Sequence, residues 1–531
     1  MTSSGSPPAE VRRPNIVLIL ADDMGYSDIG CFGGEVSTPN IDRLAQEGMR
    51  FTQFYNSARC CPTRASLLTG LHPHQAGIGH MTESAGFVEY QGWLRDDRPT
   101  IAEALRPAGY RTFLSGKWHV GGSYLGPHED LVARAGRPQN PRPVDRGFEH
   151  HWGTLVGAGS YYQPFSLLED DRFIDTIEPD FFYTDEIATH AIDYIATAGD
   201  APYFLYLGYT APHWPLHASP RDVEPYVDLY ASQGWDALRQ LRYDRLVGEG
   251  LIEPHWGLSP RDERTPPWLE ADHRLWQAQC MATYAAQISA MDRSIGRVLE
   301  AIDADNTVVM FLSDNGGCAE FLSEEWTASL NLVPRTAPDG RPVRGGNLPH
   351  VVPGGADTYM SYGRSWANVS NAPFRRYKHW VHEGGISTPF IARWPGRIRP
   401  GSLTHEPCHV MDVMATCVEM AGAPGPDLVE GRSLLPLFSD AGFSAERDLC
   451  LEHEGNRAIR RGRFKLVSAH PGSWELYDIE RDRTELEDLS DRYPGVVGEL
   501  SAAWDDWARR VGVRDWTDVL SGLRAQAAGP G

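Results

Sequence analysis

The chain has 531 residues, enough for one large α/β domain plus a smaller one, and its 41% hydrophobic content fits a protein with a substantial core. A formal charge of −22 disfavours nucleic acid, anionic membrane and densely charged polyanions as partners. The eight cysteines show neither C-x-x-C spacing nor a disulfide framework, and the Ser/Pro-rich start through Arg13 has no apolar run of signal-peptide length, so a reducing, cytoplasmic location is expected.

Asn15 to Ala21 is a continuous apolar, β-branched run and reads as a buried parallel strand. It ends in Asp22-Asp23, two carboxylates that repel each other unless a cation lies between them; a solvated acidic turn is the alternative. Thr38 and Pro39 read as the N-cap and first residue of a helix closing at Gly48. The stretch Cys60-Cys61-Pro62-Thr63-Arg64-Ala65-Ser66-Leu67-Leu68-Thr69-Gly70 reads as another helix, since Pro62 suits its first turn and Gly70 its C-terminal cap. Cys60 then stands at or just before a helix N-terminus, whose free N–H groups suit an anion, with Arg64 about one turn on. Thr100 to Glu103 forms a capping box. A strand from Tyr110 to Leu114 follows, then Gly116-Lys117-Trp118-His119, where Lys117 and His119 can face one cleft.

From about Val120 to Phe182 loops dominate, with aromatic clusters at Tyr161-Tyr162 and Phe181-Phe182-Tyr183 that suit either core packing or a pocket wall. Thr184 is expected to cap a helix that turns Ile187, Ala191, Tyr194 and Ile195 inward. The strand Tyr203 to Leu207 leads into Ala211-Pro212-His213-Trp214-Pro215, where prolines fix His213 in an irregular loop. Pro220 to Trp276 reads as an acidic surface insertion, and a long amphipathic helix follows with Met281, Tyr284, Ile288, Met291, Ile295 and Val298 on one stripe. Thr307 to Ser313 is a further buried strand, ending in Asp314-Asn315-Gly316-Gly317. His379 and His382, at helical i, i+3 spacing, could suit zinc, but no third soft ligand accompanies them in the sequence. After about Pro436 short strands joined by Gly turns read as an antiparallel meander covered by a helix carrying Val496, Leu500 and Trp504. The boundaries expected are a leader 1–13, a catalytic domain 14–435, a C-terminal subdomain 436–525 and a tail 526–531.

The Cys60 segment, C-x-P-x-R-x-x-x-L-T-G, resembles the signature of type I sulfatases in the alkaline phosphatase superfamily. The resemblance extends to G-K-W-H-V-G at 116–121, A-P-H-W-P at 211–215, D-N-G at 314–316 and the segment from Lys378 through Glu383-Gly384-Gly385 to Pro389, nearly the whole chain. It implies a large, mostly parallel sheet sandwiched by helices, with a smaller C-terminal antiparallel sheet plus helix. It also implies that Cys60 is oxidised by a formylglycine-generating enzyme to formylglycine, whose hydrated aldehyde is the nucleophile. Lys117, His119, His213 and Lys378 would contact the sulfate, His213 as the general acid. Asp314 and Asn315 would complete a calcium site, with magnesium as the alternative cation.

Asp22, Lys117, His213 and Asp314 each lie just past an apolar run, and parallel sheets bind ligands outside the carboxyl ends of their strands. One rule therefore gathers residues from distant parts of the chain into one cleft. Asp22, Asp23, Asp314 and Asn315 make an all-oxygen set that favours calcium or magnesium over zinc, and the ion would also touch the modified Cys60. The expected reaction is hydrolysis of a small sulfate monoester, aryl or alkyl. One hydroxyl of the hydrate attacks sulfur, the alcohol leaves protonated by His213, and His119 serves as base to release sulfate. Arg64, Lys117, His119, His213 and Lys378 would hold the remaining charge. A phosphodiesterase or phosphonate monoester hydrolase of the same superfamily, and a non-catalytic sulfo-ligand binding protein with unmodified Cys60, are the alternatives.

Overall fold

The computed structural model of the chain describes residues 12–123, 126–439, 443 and 446–527. Most of the leader and the last residues of the tail lie outside the described residues. An eleven-stranded sheet forms the centre. Its strands are β1 (Asn15–Ala21), β2 (Met49–Tyr55), β3 (Arg111–Gly116), β4 (His150–Thr154), β5 (Leu167–Glu169), β6 (Arg172–Phe173), β7 (Tyr203–Gly208) and β8 (Thr307–Ser313). After the small ribbon β9 (Arg344–Gly345) and β10 (Thr358–Tyr359), the sheet is completed by β11 (Ser387–Arg393), β12 (Ser402–Thr404) and β13 (Cys408–His409). The order is β12-β2-β11-β8-β1-β7-β3-β4-β5-β6, with β13 beside β2. Strand β1 pairs in parallel with both β7 and β8, so their carboxyl ends open on the same edge.

All seven residues of β1 are buried. Side chains alternate across a strand, so Val17, Ile19 and Ala21 pack on one face with the helices Tyr183–Ala198 and Arg274–Ala301. Ile16, Leu18 and Leu20 pack on the other, with the helices Cys60–Thr69 and Asp412–Ala421. Each fully buried aliphatic side chain stabilises such a core by about 1.5–3 kcal/mol.

Three local expectations change. The helix after Phe182 begins at Tyr183, and Thr184 is inside its first turn, where its carbonyl accepts a 2.7 Å bond from Ser294 Oγ. Thr38 precedes the helix Pro39–Glu47 but does not cap it with its side chain; Asp292 accepts from the Asn40 and Ile41 N–H groups instead, at 3.1 and 2.8 Å. The segment read as a surface insertion holds a long helix, Pro220–Gly248, kinked at Gly234 (φ 65°), that packs along Arg274–Ala301. Its charges misled because two are internal: Arg242 is fully buried against Asp28 and Glu35, and Arg239 donates to the Ser259 and Asn368 carbonyls.

The C-terminal sheet is the meander β14 (Leu449–His453), β15 (Asn456–Arg461), β16 (Phe464–Ser468) and β17 (Glu475–Asp478). One face packs Leu500, Trp504 and Trp507 of the helix Pro494–Val511. The other packs on Tyr55, Ala58, Val381 and Ile386, next to the segment that begins the Cys60 helix. All eight cysteines are free. Among the described residues, no helix is long and apolar enough to cross a membrane.

Candidate active site

Cys60 is the first residue of the helix Cys60–Thr69, and Gly70 closes that helix in the left-handed conformation (φ 69°) with its N–H on Ser66 O. Every residue of this helix is buried, so the motif is an internal wall rather than a surface turn. Arg64, fully buried, donates from Nε and Nη2 to Asp314 Oδ2 at 3.1 and 3.0 Å, and from Nη1 to Lys117 O and Tyr206 OH, each at 3.2 Å. It therefore grips a carboxylate of the oxygen cluster rather than standing free beside Cys60.

The carboxylates meet where β1 and β8 end. Lys117 forms a salt bridge with Asp22 Oδ2, and Lys378 with Asp23 Oδ2 at 2.8 Å. Asn315 Nδ2 donates to Asp23 Oδ1 at 2.6 Å, and the Asp23 N–H donates to Asp314 Oδ1 at 3.2 Å. Asp22 Oδ1 and Asn315 Oδ1 are buried without a hydrogen-bond partner. Burial lifts the Asp22 carboxyl above its ordinary range despite Lys117 and Arg64, and lifts Asp314 well above it, with the Asp22 charge adding to the push. Two orphaned oxygens among under-compensated buried carboxylates fit a hard divalent cation, with Asp22, Asp23, Asp314 and Asn315 as the oxygen donors.

His213 donates from Nδ1 to Trp214 O at 2.6 Å, which leaves Nε2 facing Lys378 Nζ and Asp23 Oδ2, each 3.3 Å away. Burial first, then the Lys378 and Lys117 charges, hold its ring down to about 4. His119 takes a left-handed backbone (φ 59°), as does Asp23 (φ 62°); non-glycine residues pay for that conformation and keep it where the surroundings enforce it. A Cβ on Gly157 would come within 2.1 Å of the His119 ring, so only glycine leaves that imidazole its place. His119 Nε2 lies 3.2 Å from Cys61 Sγ, and burial holds its ring down to about 4, so it is neutral at neutral pH. The Cys60 thiol is held well below its usual range, chiefly by the Cys61 hydrogen bond and, against burial, by the Lys117 charge. Cys61, to which the motif gave no role, thus stands against both Cys60 and His119.

Cys60, His119, His213 and Lys378 share a cleft with Arg59 and Glu320, and its wall is mixed, with apolar Met81, Val156, Phe165, Trp214, Trp326 and Leu332 beside polar Thr82 and Glu83. Glu320 carried no motif signal. It accepts from Trp214 Nε1 at 2.8 Å and pairs with Arg59 at 3.1 Å, which ties the His213 loop to the start of the Cys60 helix. Of the two roles open to the aromatic clusters, these residues take the packing one: Tyr161 is buried and donates its OH to the Thr210 and His213 carbonyls, while Phe181 and Phe182 pack against the core. His379 and His382 are not on a helix and turn to different partners, Glu454 at 2.8 Å and Glu475 at 3.7 Å.

A parallel sheet with carboxylates, lysines and histidines gathered at its strand ends, beside a buried C-x-P-x-R helix, is the arrangement of a sulfuric ester hydrolase in the alkaline phosphatase superfamily. A family model described as "Sulfatase" matches residues 14–423, and one described as "N-sulphoglucosamine sulphohydrolase, C-terminal" matches residues 375–501. The chain belongs to the sulfatase family and is an enzyme that hydrolyses sulfate esters. It is 33% identical to an arylsulfatase of Klebsiella aerogenes over 487 residues, 87% of this chain and 97% of that protein. It is 32% identical to an uncharacterized sulfatase of Schizosaccharomyces pombe, covering 95% of each. Among solved structures it resembles Ps i-CgsB with a TM-score of 0.66 at 24% identity, covering 93% of both chains.

Proposed function

We propose that this sulfatase cleaves small sulfate monoesters with an apolar body, aryl esters foremost, using formylglycine made from Cys60 and one bound calcium ion. The observation that carries the reading is the convergence of Asp22, Asp23, Asp314 and Asn315, with two orphaned oxygens, behind the cleft that Cys60 lines, where Asp23 meets its His213 and Lys378. The apolar side chains of the wall, Phe165, Trp214 and Trp326 among them, support an aryl body, and the arylsulfatase of Klebsiella aerogenes is a relative whose name agrees. Other relatives are named for sugar esters, among them a human N-acetylgalactosamine-6-sulfatase at 28% identity, so the preference rests on the wall and on the net charge of −22.

Bound calcium would neutralise the carboxylates and polarise a sulfate oxygen. Oxidised Cys60, produced by a formylglycine-generating partner, would supply the nucleophile. Lys117 and Lys378, already drawn to Asp22 and Asp23, would turn part of their charge to the sulfate. His213 has its Nδ1 proton committed to Trp214 O, so Nε2 is the atom that would first take up a proton beside the anionic ester and then pass it to the leaving oxygen. Neutral His119, beside the Cys60–Cys61 pair, would accept the proton released in the second half of the reaction. The test is the ratio of turnover on a sulfate monoester and a phosphate diester that share one leaving group. Sulfate preference supports the reading; a strong preference for the diester transfers the site to phosphodiesterase chemistry.

A further inference from the structure

Away from the carboxylate cluster, four residues from three distant segments come together: His80, His379, and the pair His453-Glu454 at the end of β14. His80 Nδ1 lies 3.4 Å and His453 Nε2 lies 3.5 Å from Glu454 Oε1. Both nitrogens are buried and neither makes a hydrogen bond. His379 Nδ1 lies 2.8 Å from the other carboxylate oxygen, Oε2. Glu454 is held in place by the two-residue turn between β14 and β15, with a left-handed backbone (φ 51°).

These separations are informative. Two nitrogens and an oxygen around tetrahedral zinc, at about 2.0–2.2 Å from the metal, stand about 3.3 Å apart along each edge. The edges from Glu454 Oε1 to His80 and His453 have that length, whereas a hydrogen-bonded pair would close to about 2.9 Å. His80 Nδ1 and both ring nitrogens of His453 are buried without a hydrogen-bond partner, so each ring keeps a nitrogen that the protein does not use. His379 matches the outer partner of a metal-bound carboxylate, with its N–H on the oxygen the metal does not use.

We propose that His80, His453 and Glu454 form a second metal site for zinc or a similar borderline-soft divalent ion, with His379 orienting the carboxylate. Two imidazoles and one carboxylate favour that class of ion over calcium, and separate this site from the all-oxygen cluster. The side chains of His80 and Glu454 are 14% and 20% exposed, which leaves a path for the ion and a fourth position for water. The site ties the segment after the Cys60 helix to the C-terminal sheet, so its role is to fasten the wall of the cleft that Met81, Thr82 and Glu83 build. The histidine pair that the sequence offered, His379 with His382, contributes only one member, and the missing soft ligands come from residues 80 and 453.

The test is equilibrium dialysis of the full-length protein against buffered micromolar zinc with calcium present, and metal counting by mass spectrometry. The parent is expected to hold one zinc per chain, and cobalt in its place to give the visible absorption of a tetrahedral ion. His453→Ala and His80→Gln should weaken zinc binding roughly 10-fold or more, and Asp314→Asn should leave it unchanged. His80 lies at the rim, so His80→Gln decides the matter if His453→Ala does not fold by circular dichroism. A parent without zinc, or zinc retained undiminished in His80→Gln, overturns the proposal, as does zinc lost in Asp314→Asn and kept in His80→Gln.

Discussion

Replacing Arg64 by lysine keeps the charge and removes the planar fork, and the structure gives the cost. Arg64 makes four hydrogen bonds with no exposure: two to Asp314 Oδ2, one to Lys117 O and one to Tyr206 OH. A lysine ammonium at the same place can keep a bond to Asp314 but cannot span to the carbonyl and the phenol as well. Each buried polar group left without a partner costs about 1–3 kcal/mol, so Arg64→Lys should lose about 2–5 kcal/mol of stability. A domain of ordinary stability, about 5–15 kcal/mol, still folds, with a lower urea midpoint at unchanged slope. Because Asp314 loses its holder, calcium affinity should also fall, by about 10–100-fold. Urea unfolding followed by circular dichroism reads the first effect, and calorimetric titration of the metal-free protein with calcium reads the second. If midpoint and calcium affinity are both unchanged while only KM rises, Arg64 is a sulfate contact and does not position Asp314.

Three further outcomes follow from the histidines. His213→Ala should slow an unactivated phenyl or alkyl sulfate by about 10²–10⁴-fold and an activated nitrophenyl sulfate far less, because a good leaving group needs no proton; equal losses across a leaving-group series would make His213 a sulfate anchor only. His119→Ala should instead bring all esters toward one common slow rate and let sulfated enzyme accumulate, which quenched-flow mass spectrometry detects; free enzyme as the main species would assign the base elsewhere. His217 is buried, accepts from Tyr161 N at 3.2 Å and donates to Thr358 O at 2.7 Å, so its neutral ring is fully used. Burial holds it down from 6.5 to about 4, so the unfolded chain binds that proton more tightly. Its contribution, about 3 kcal/mol, is complete above about pH 6.5 and is lost as pH falls toward 4. His217→Gln should therefore lose less stability than the parent between pH 7.5 and 4.5, and an equal loss in both would contradict this proton balance.

The strands that carry the site were legible because a fully buried parallel strand writes itself as an unbroken apolar run, as in β1, β7 and β8. The convergence of residues as distant as Asp22 and Asp314 followed from a topological rule about strand ends and needed no contact information. What escaped was polar and internal. Arg242 fell in a segment read as surface because a sequence does not show that Glu35, about 200 residues earlier, is its buried partner. Glu320 is positioned by Trp214 and Arg59, which precede it by more than 100 residues, and no local pattern marks such a pairing. The same holds for His80 and His453, whose meeting depends on how the C-terminal sheet docks.

In the proposed reaction the oxidised side chain of Cys60 performs the chemistry in a sulfate-ester cleft. The most direct measurement is peptide mass mapping of residues 59–64 on the same preparation whose turnover on an aryl sulfate is titrated. Cys60, and not Cys61, should have exchanged its sulfur for an aldehyde oxygen, turnover should scale with that fraction, co-expression with a formylglycine-generating enzyme should raise both, and Cys60→Ala should be inactive while Cys61→Ser keeps most of its rate. Fully active protein with Cys60 present as the unmodified thiol would contradict it.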